Sequence, residues 1–179
     1  QDPAKSSFSQ PPEKRSGHSD ESPGVLRGSA TLTLQSRQAQ RLVKGRAHSA
    51  EKPAIIGLLG FANLVRTLWH GARADDPYAD WWLLQIHEAM VQTEHELVTL
   101  EQGISNRFET LGAIDVSVSV SAKPARIALN FSNPYAFRAA RLISVFDALA
   151  CKALSARHVG LIGRDESEKT LHQGGRWIR

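Results

Sequence analysis

The stretch RIALNFSNPYAFRAARL, residues 126–142, alternates for six residues and then changes period. Ile127, Leu129 and Phe131 form the apolar row of a half-buried strand, and Arg126, Ala128 and Asn130 form the opposite row. Asn133 then caps a helix with Pro134 in its first turn, where a missing amide donor is harmless. The outward row has two readings. A solvated edge strand explains it at no cost. Two such strands, one from each chain of a dimer, laid in a DNA groove also explain it and turn Arg126 and Asn130 into readers of base edges.

Toward the C-terminus, the helix after Asn133 carries Phe137, Leu142, Val145, Phe146, Leu149 and Leu154 as a broad buried surface. Arg138, Arg141, Lys152 and Arg157 sit around it, and GLIG at 160–163 ends it. RDESEKTLHQGGRWIR, residues 164–179, reads as a loop and short tail. It stops with Trp177 and Ile178 unused, so more chain is expected to follow.

A strand leading into a basic helix occurs once more. In SATLTLQ, Thr31, Thr33 and Gln35 alternate with Ala30, Leu32 and Leu34, and the next helix turns Ala39, Leu42 and Val43 inward and Arg37, Arg41 and Lys44 outward. Between the two units lie two further helices. One is expected from about Pro53 to His70, apolar nearly all round at its start, and it reads as the central core helix. The other begins at Pro77 behind an Asp76 cap, with Leu83, Ile86, Met90, Thr93, Leu97, Leu100 and Ile104 at alternating spacings of three and four. That pattern predicts about 30 residues, roughly 45 Å, with Gly103 as a bend or early end. AIDVSVSV, with Val116, Val118 and Val120 on one face, is expected to be a strand that pairs as an irregular hairpin with 126–131 across Pro124.

A length of 179 residues with 41% hydrophobic content suits one domain with a real core. We expect a predominantly helical α+β domain over residues 27–179 with a few short strands. Residues 1–26, rich in Ser, Pro and charge, read as a disordered arm without an apolar signal core. The absence of an initiator Met leaves processing or a fragment boundary open. AIIGLLGFANLV at 54–65 is too short to span a bilayer, and a single cysteine, Cys151, excludes an intrachain disulfide framework. These features predict a cytoplasmic protein with no membrane partner.

The net charge of +4 conceals a partition. Arg27, Arg37, Arg41, Lys44, Arg46 and Lys52 face Glu51 alone within 27–52, and seven cations face Asp147 alone within 123–164. Residues 74–115 hold nine acids against Arg107. Charged helices of opposite sign pair with one another, or else the two basic blocks share a face that meets a polyanion.

Catalytic chemistry has no foothold. His87, Glu88, Glu94, His95 and Glu96 crowd one helix, but no pair has the spacing of a helical zinc hydrolase, so no metal is expected. Cys151 lies in an apolar helix as a small packing residue. GLLGFAN lacks the lysine and hydroxyl of a phosphate-binding loop. No catalytic residue and no cofactor are expected, and the chain is not read as an enzyme.

At DDPYADWWLL, FSNPYAFRAARLISVFDAL and LSARHVGLIGR the chain resembles the AcaB-like family, encoded on integrating conjugative elements and conjugative plasmids. The likeness runs from about Leu32 to Arg179. It implies a ribbon-helix-helix-like regulator of conjugation genes that binds double-stranded DNA as a homodimer. Within that frame Arg126 suits guanine, Asn130 suits adenine and Ala128 a thymine methyl, with Thr31, Thr33 and Gln35 offering the same geometry from the other strand. Arg27, Arg37, Arg41, Lys44, Arg138 and Arg141 are the expected phosphate contacts. The helix at 77–104 is extra to the minimal motif and reads as a scaffold or as a surface for a conjugation-related protein partner.

Overall fold

The computed structural model describes residues 29–179, so the arm at 1–26 and Arg27 lie outside the described residues. The elements run β1 (Ala30–Leu34), α1 (Arg37–Lys44), α2 (Leu58–Ala72), α3 (Pro77–Glu109), β2 (Ala125–Leu129), α4 (Pro134–His158) and α5 (Arg164–Trp177). They form a mostly helical α+β domain with one two-stranded antiparallel sheet, in which β1 pairs with β2 of the same chain. Two strands more than 90 residues apart thus make one ribbon, in place of the expected pairing of one strand from each of two chains.

The ribbon sits on α4, whose inward face includes Phe146 and Leu149; Leu32 and Leu34 of β1 and Leu129 of β2 join the same core. α4 packs against α1, α2, α3, α5 and β1, so it is the central helix. α2 was expected in that role, but it buries only Leu58, Ala62 and Val65, while Ile56, Leu59 and Leu64 stay exposed. α2 also starts later than Pro53, because the amide and carbonyl of Ile55 are bonded to Arg46 in a short antiparallel bridge. Gly57 then lets the start of α2 touch the end of α1: a Cβ there would lie 2.3 Å from the Val43 carbonyl oxygen.

α3 follows its cap, with Asp76 accepting from the Tyr78 amide, and runs unbroken through Gly103 for 33 residues, about 50 Å. Ala79, Leu83, Met90, Leu97 and Ile104 are buried and Ile86, Thr93 and Leu100 half-buried, so the seven-residue stripe faces inward as its spacing predicts. The stripe packs within the chain, mainly on α4 and α2.

Two further segments differ from expectation. Residues 114–121 form no strand; two of their amides meet side chains, Ser119 donating to Ser155 Oγ (2.8 Å) and Ser121 to Gln35 Oε1 (3.0 Å). Residues 164–177, read as a loop, are a helix. Gly174, a poor helix former in isolation, is buried against Phe146, where a Cβ would lie 3.1 Å from the ring. Packing on α4 outweighs local propensity there, and Trp177 and Ile178 join the core they were expected to leave unused.

Candidate nucleic-acid interface

The register Thr31↔Ala128 and Thr33↔Arg126 places all four of these side chains on the outer, exposed face of the ribbon. The two rows between which the sequence left a choice therefore lie side by side. Asn130 is exposed one step beyond β2. Gln35 departs from the group: it is half-buried and its side-chain oxygen accepts from Ser121. The face is thus two threonines, one alanine and one arginine with an amide at its end, a mix of donors, acceptors and methyl groups without an acid.

Asp147 holds this ribbon to the core. Its carboxylate is buried, and its two oxygens accept from consecutive amides, Gln35 (2.7 Å) and Ser36 (2.8 Å), at the point where β1 turns into α1. Ser36 then caps α1 by accepting from the Ala39 amide (3.1 Å). Sequence reasoning passed over Asp147, although a signal existed: it is the lone acid among the cations of residues 123–164, set between Phe146 and Leu149 on the inward face of a helix. A buried acid is retained where it satisfies donors that water cannot reach.

The expected phosphate contacts divide into two groups. Arg37, Arg41 and Lys44 are exposed on α1 and make no ion pair among the described residues. Arg138 and Arg141 instead turn toward α3: Arg138 donates to His87 Nδ1 (2.9 Å), and Arg141 pairs with Glu94 (2.7 Å). Lys152 completes the row by pairing with Glu101 and donating to Ser105 Oγ. The acidic helix therefore pairs with Arg141 and Lys152 of the second basic block and with none of the α1 cations. Arg141 keeps most of its side chain in solvent, so its other N–H groups remain available.

His87, Glu94 and His95, crowded together along the sequence, diverge in space: the first two face α4 and His95 lines a groove beside α5. No group of three potential metal ligands occurs among the described residues. The Cys151 thiol is pushed above its ordinary range, first by burial and then by the Asp147 charge, so it resists becoming a nucleophile. No helix among the described residues is long and apolar enough to cross a membrane.

These elements define a small α+β protein that exposes a short antiparallel ribbon beside a basic helix. The chain belongs to the AcaB family: the family described as transcriptional regulator AcaB matches residues 22–179, beginning inside the stretch read as an arm. As a member of a family of transcriptional regulators it is not an enzyme. Its fold is similar to the crystal structure of selenomethionine-containing AcaB from uropathogenic E. coli. The TM-score is 0.62 and the identity 15%, over 84% of this chain and 72% of that one. No curated protein matches it.

Proposed function

We propose that this chain regulates transcription of conjugative-element genes by binding double-stranded DNA as a cytoplasmic homodimer, through a two-stranded ribbon that each chain completes by itself. The observation that carries the reading is the acid-free outer face of the β1–β2 ribbon, with Thr33 opposite Arg126 and Thr31 opposite Ala128. A two-stranded ribbon fits the major groove, where an arginine is suited to guanine and a methyl group to thymine. Thr31, Thr33, Arg126, Ala128 and Asn130 are the base readers, and Gln35 reads only if it leaves Ser121. Arg37, Arg41 and Lys44 hold phosphates beside the groove, joined by the free N–H groups of Arg141 and, more distantly, by Arg138. Each chain carries a complete ribbon, so a homodimer presents two of them to two half-sites.

The test is titration of the purified protein with duplex DNA from its own upstream and transfer-origin regions at two salt concentrations. Three α1 cations per chain predict about six neutralised phosphates per dimer, a slope of log K on log salt near −5. Absence of binding at low salt, or equal affinity for an acidic polymer, refutes the reading.

A second reading, a non-enzymatic accessory or scaffold protein of the conjugative transfer machinery, draws on a different surface. The outer side of α3 leaves Trp81, Trp82, Leu84 and Val91 about half exposed, which is large for apolar residues on one helix. Changing Leu84 and Val91 to Glu separates the readings. Retained DNA binding with a lost transfer-protein partner favours the scaffold, and lost dimerisation with weakened DNA binding favours the regulator.

A further inference from the structure

The molecule contains a second cationic feature, which shares only Arg41 with the phosphate contacts proposed beside the ribbon. Between the end of α1, the segment leading into α2, and α4 and α5 lies a cavity of about 410 Å³ whose lining includes Arg41, Arg46 and Arg179 and no acidic residue. Its apolar walls come from Leu42 of α1, Ile55, Leu171 of α5 and the buried Phe146 of α4. Elsewhere Arg107, Arg141, Lys152 and Arg164 each meet a carboxylate. The three arginines of the cavity meet none among the described residues.

Two of them are nonetheless held in place. Arg46 donates through Nε and Nη2 to the Pro53 carbonyl (3.2 and 2.9 Å), and Arg179 donates through Nε to the Gly175 carbonyl (2.7 Å). Their remaining N–H groups, with the whole guanidinium of Arg41, have no partner among the described residues. Like charges gathered without a counter-charge repel one another, and an anion placed among them relieves that repulsion. Guanidinium groups fixed beforehand lose little freedom when they fork onto a carboxylate or phosphate.

We propose that this cavity binds a small organic anion, a carboxylate or phosphate carried on an apolar, ring-sized body. The charged end meets Arg41, Arg46 and Arg179, and the ring lies on Leu42, Ile55 and Leu171, backed by the buried Phe146. A volume in the range of small-molecule sites, an apolar floor and a few convergent polar groups are the usual make-up of such a site. The apolar floor separates this site from a phosphate-backbone contact, which has no use for a phenyl ring. The proposal does not depend on DNA binding.

Calorimetric titration of the full chain with phenyl phosphate and with benzoate tests it, with phenol and inorganic phosphate as controls. Saturable binding of at least one of the two aromatic anions, about tenfold tighter than either control, is expected, with a further loss of about tenfold in Arg41→Gln and in Arg179→Gln. Arg126→Gln on the ribbon leaves it unchanged. Amide shifts on titration of the unaltered protein provide a readout independent of any variant, and they should cluster at Leu42, Ile55 and Gly175. The proposal fails if neither aromatic anion binds at millimolar concentration. It also fails if inorganic phosphate binds as well, if folded Arg41→Gln and Arg179→Gln retain full affinity, or if the shifts fall elsewhere.

Discussion

The two strand-to-helix units, β1 with α1 and β2 with α4, share one pattern: an apolar row, a polar row, a side-chain cap and then a helix carrying arginines. They meet different fates. α1 is short, buries Ala39 and Val43, and keeps its cations in solvent. α4 is long and central, and its cations at 138, 141 and 152 meet His87, Glu94 and Glu101 of α3. Similar local patterns thus yield a free basic surface in one unit and an internal ion-pair seam in the other, and what separates them is the acidic helix that lies against only one. Charge on a helix does not say which partner it serves; the neighbouring element does.

The severest challenge to this contrast is to uncouple the units. Asp147→Ala leaves the part-buried Gln35 amide and the buried Ser36 amide without their acceptor, at about 1–3 kcal/mol for each amide, so an overall loss of about 4 kcal/mol is expected in urea unfolding. Hydrogen exchange at Gln35 and Ser36 should accelerate more than at Ala136, which has its own cap.

The difference between free and paired cations is tested on DNA. Replacing Arg37, Arg41 and Lys44 together with Gln should flatten the salt dependence by about 0.9 in slope for each phosphate no longer neutralised. Arg141→Gln should change the slope less than any one of them, because that guanidinium already shares its charge with Glu94. Equal effects from the two helices would erase the distinction.

Arg126→Ala probes the face that both units build. Because the side chain is exposed, stability should move by less than about 0.5 kcal/mol, while discrimination at one base should fall by about 1–3 kcal/mol. Competition assays with single-base variants of the site measure the second quantity. The smallest effect belongs to the ion-pair seam: a double-mutant cycle on Arg141 and Glu94 should return about 0.2–1 kcal/mol, since the arginine is largely in solvent.

Much of the molecule was legible along the chain. β1, β2, α1, α3 and α4 each lie where period and caps placed them; the expected caps Asp76 and Asn133 accept from amides two or three residues on, and Ser36, not named from the sequence, does the same for α1. The inward stripe from Leu83 to Ile104 followed from a seven-residue spacing. Such signals are local, because a cap or an amphipathic face is complete within a few turns of one helix. The site was legible only in part: the outer rows of both strands could be named, but not that Thr33 would stand opposite Arg126.

The features that were misread or missed along the chain join residues far apart in it. β1 pairs with β2, Asp147 reaches Gln35 across 112 positions, Gly174 becomes helical against Phe146, and Ser119 and Ser121 give their amides to Ser155 and Gln35 instead of to a strand. In each case the local preference is weak or satisfied equally well in two ways, and a contact made only in the folded chain chooses between them. Local sequence specifies most of the helices, their caps and the chemistry of each face. Packing settles which strands become one ribbon and which arginines are left free, because pairing and neutralisation depend on what lies beside a residue.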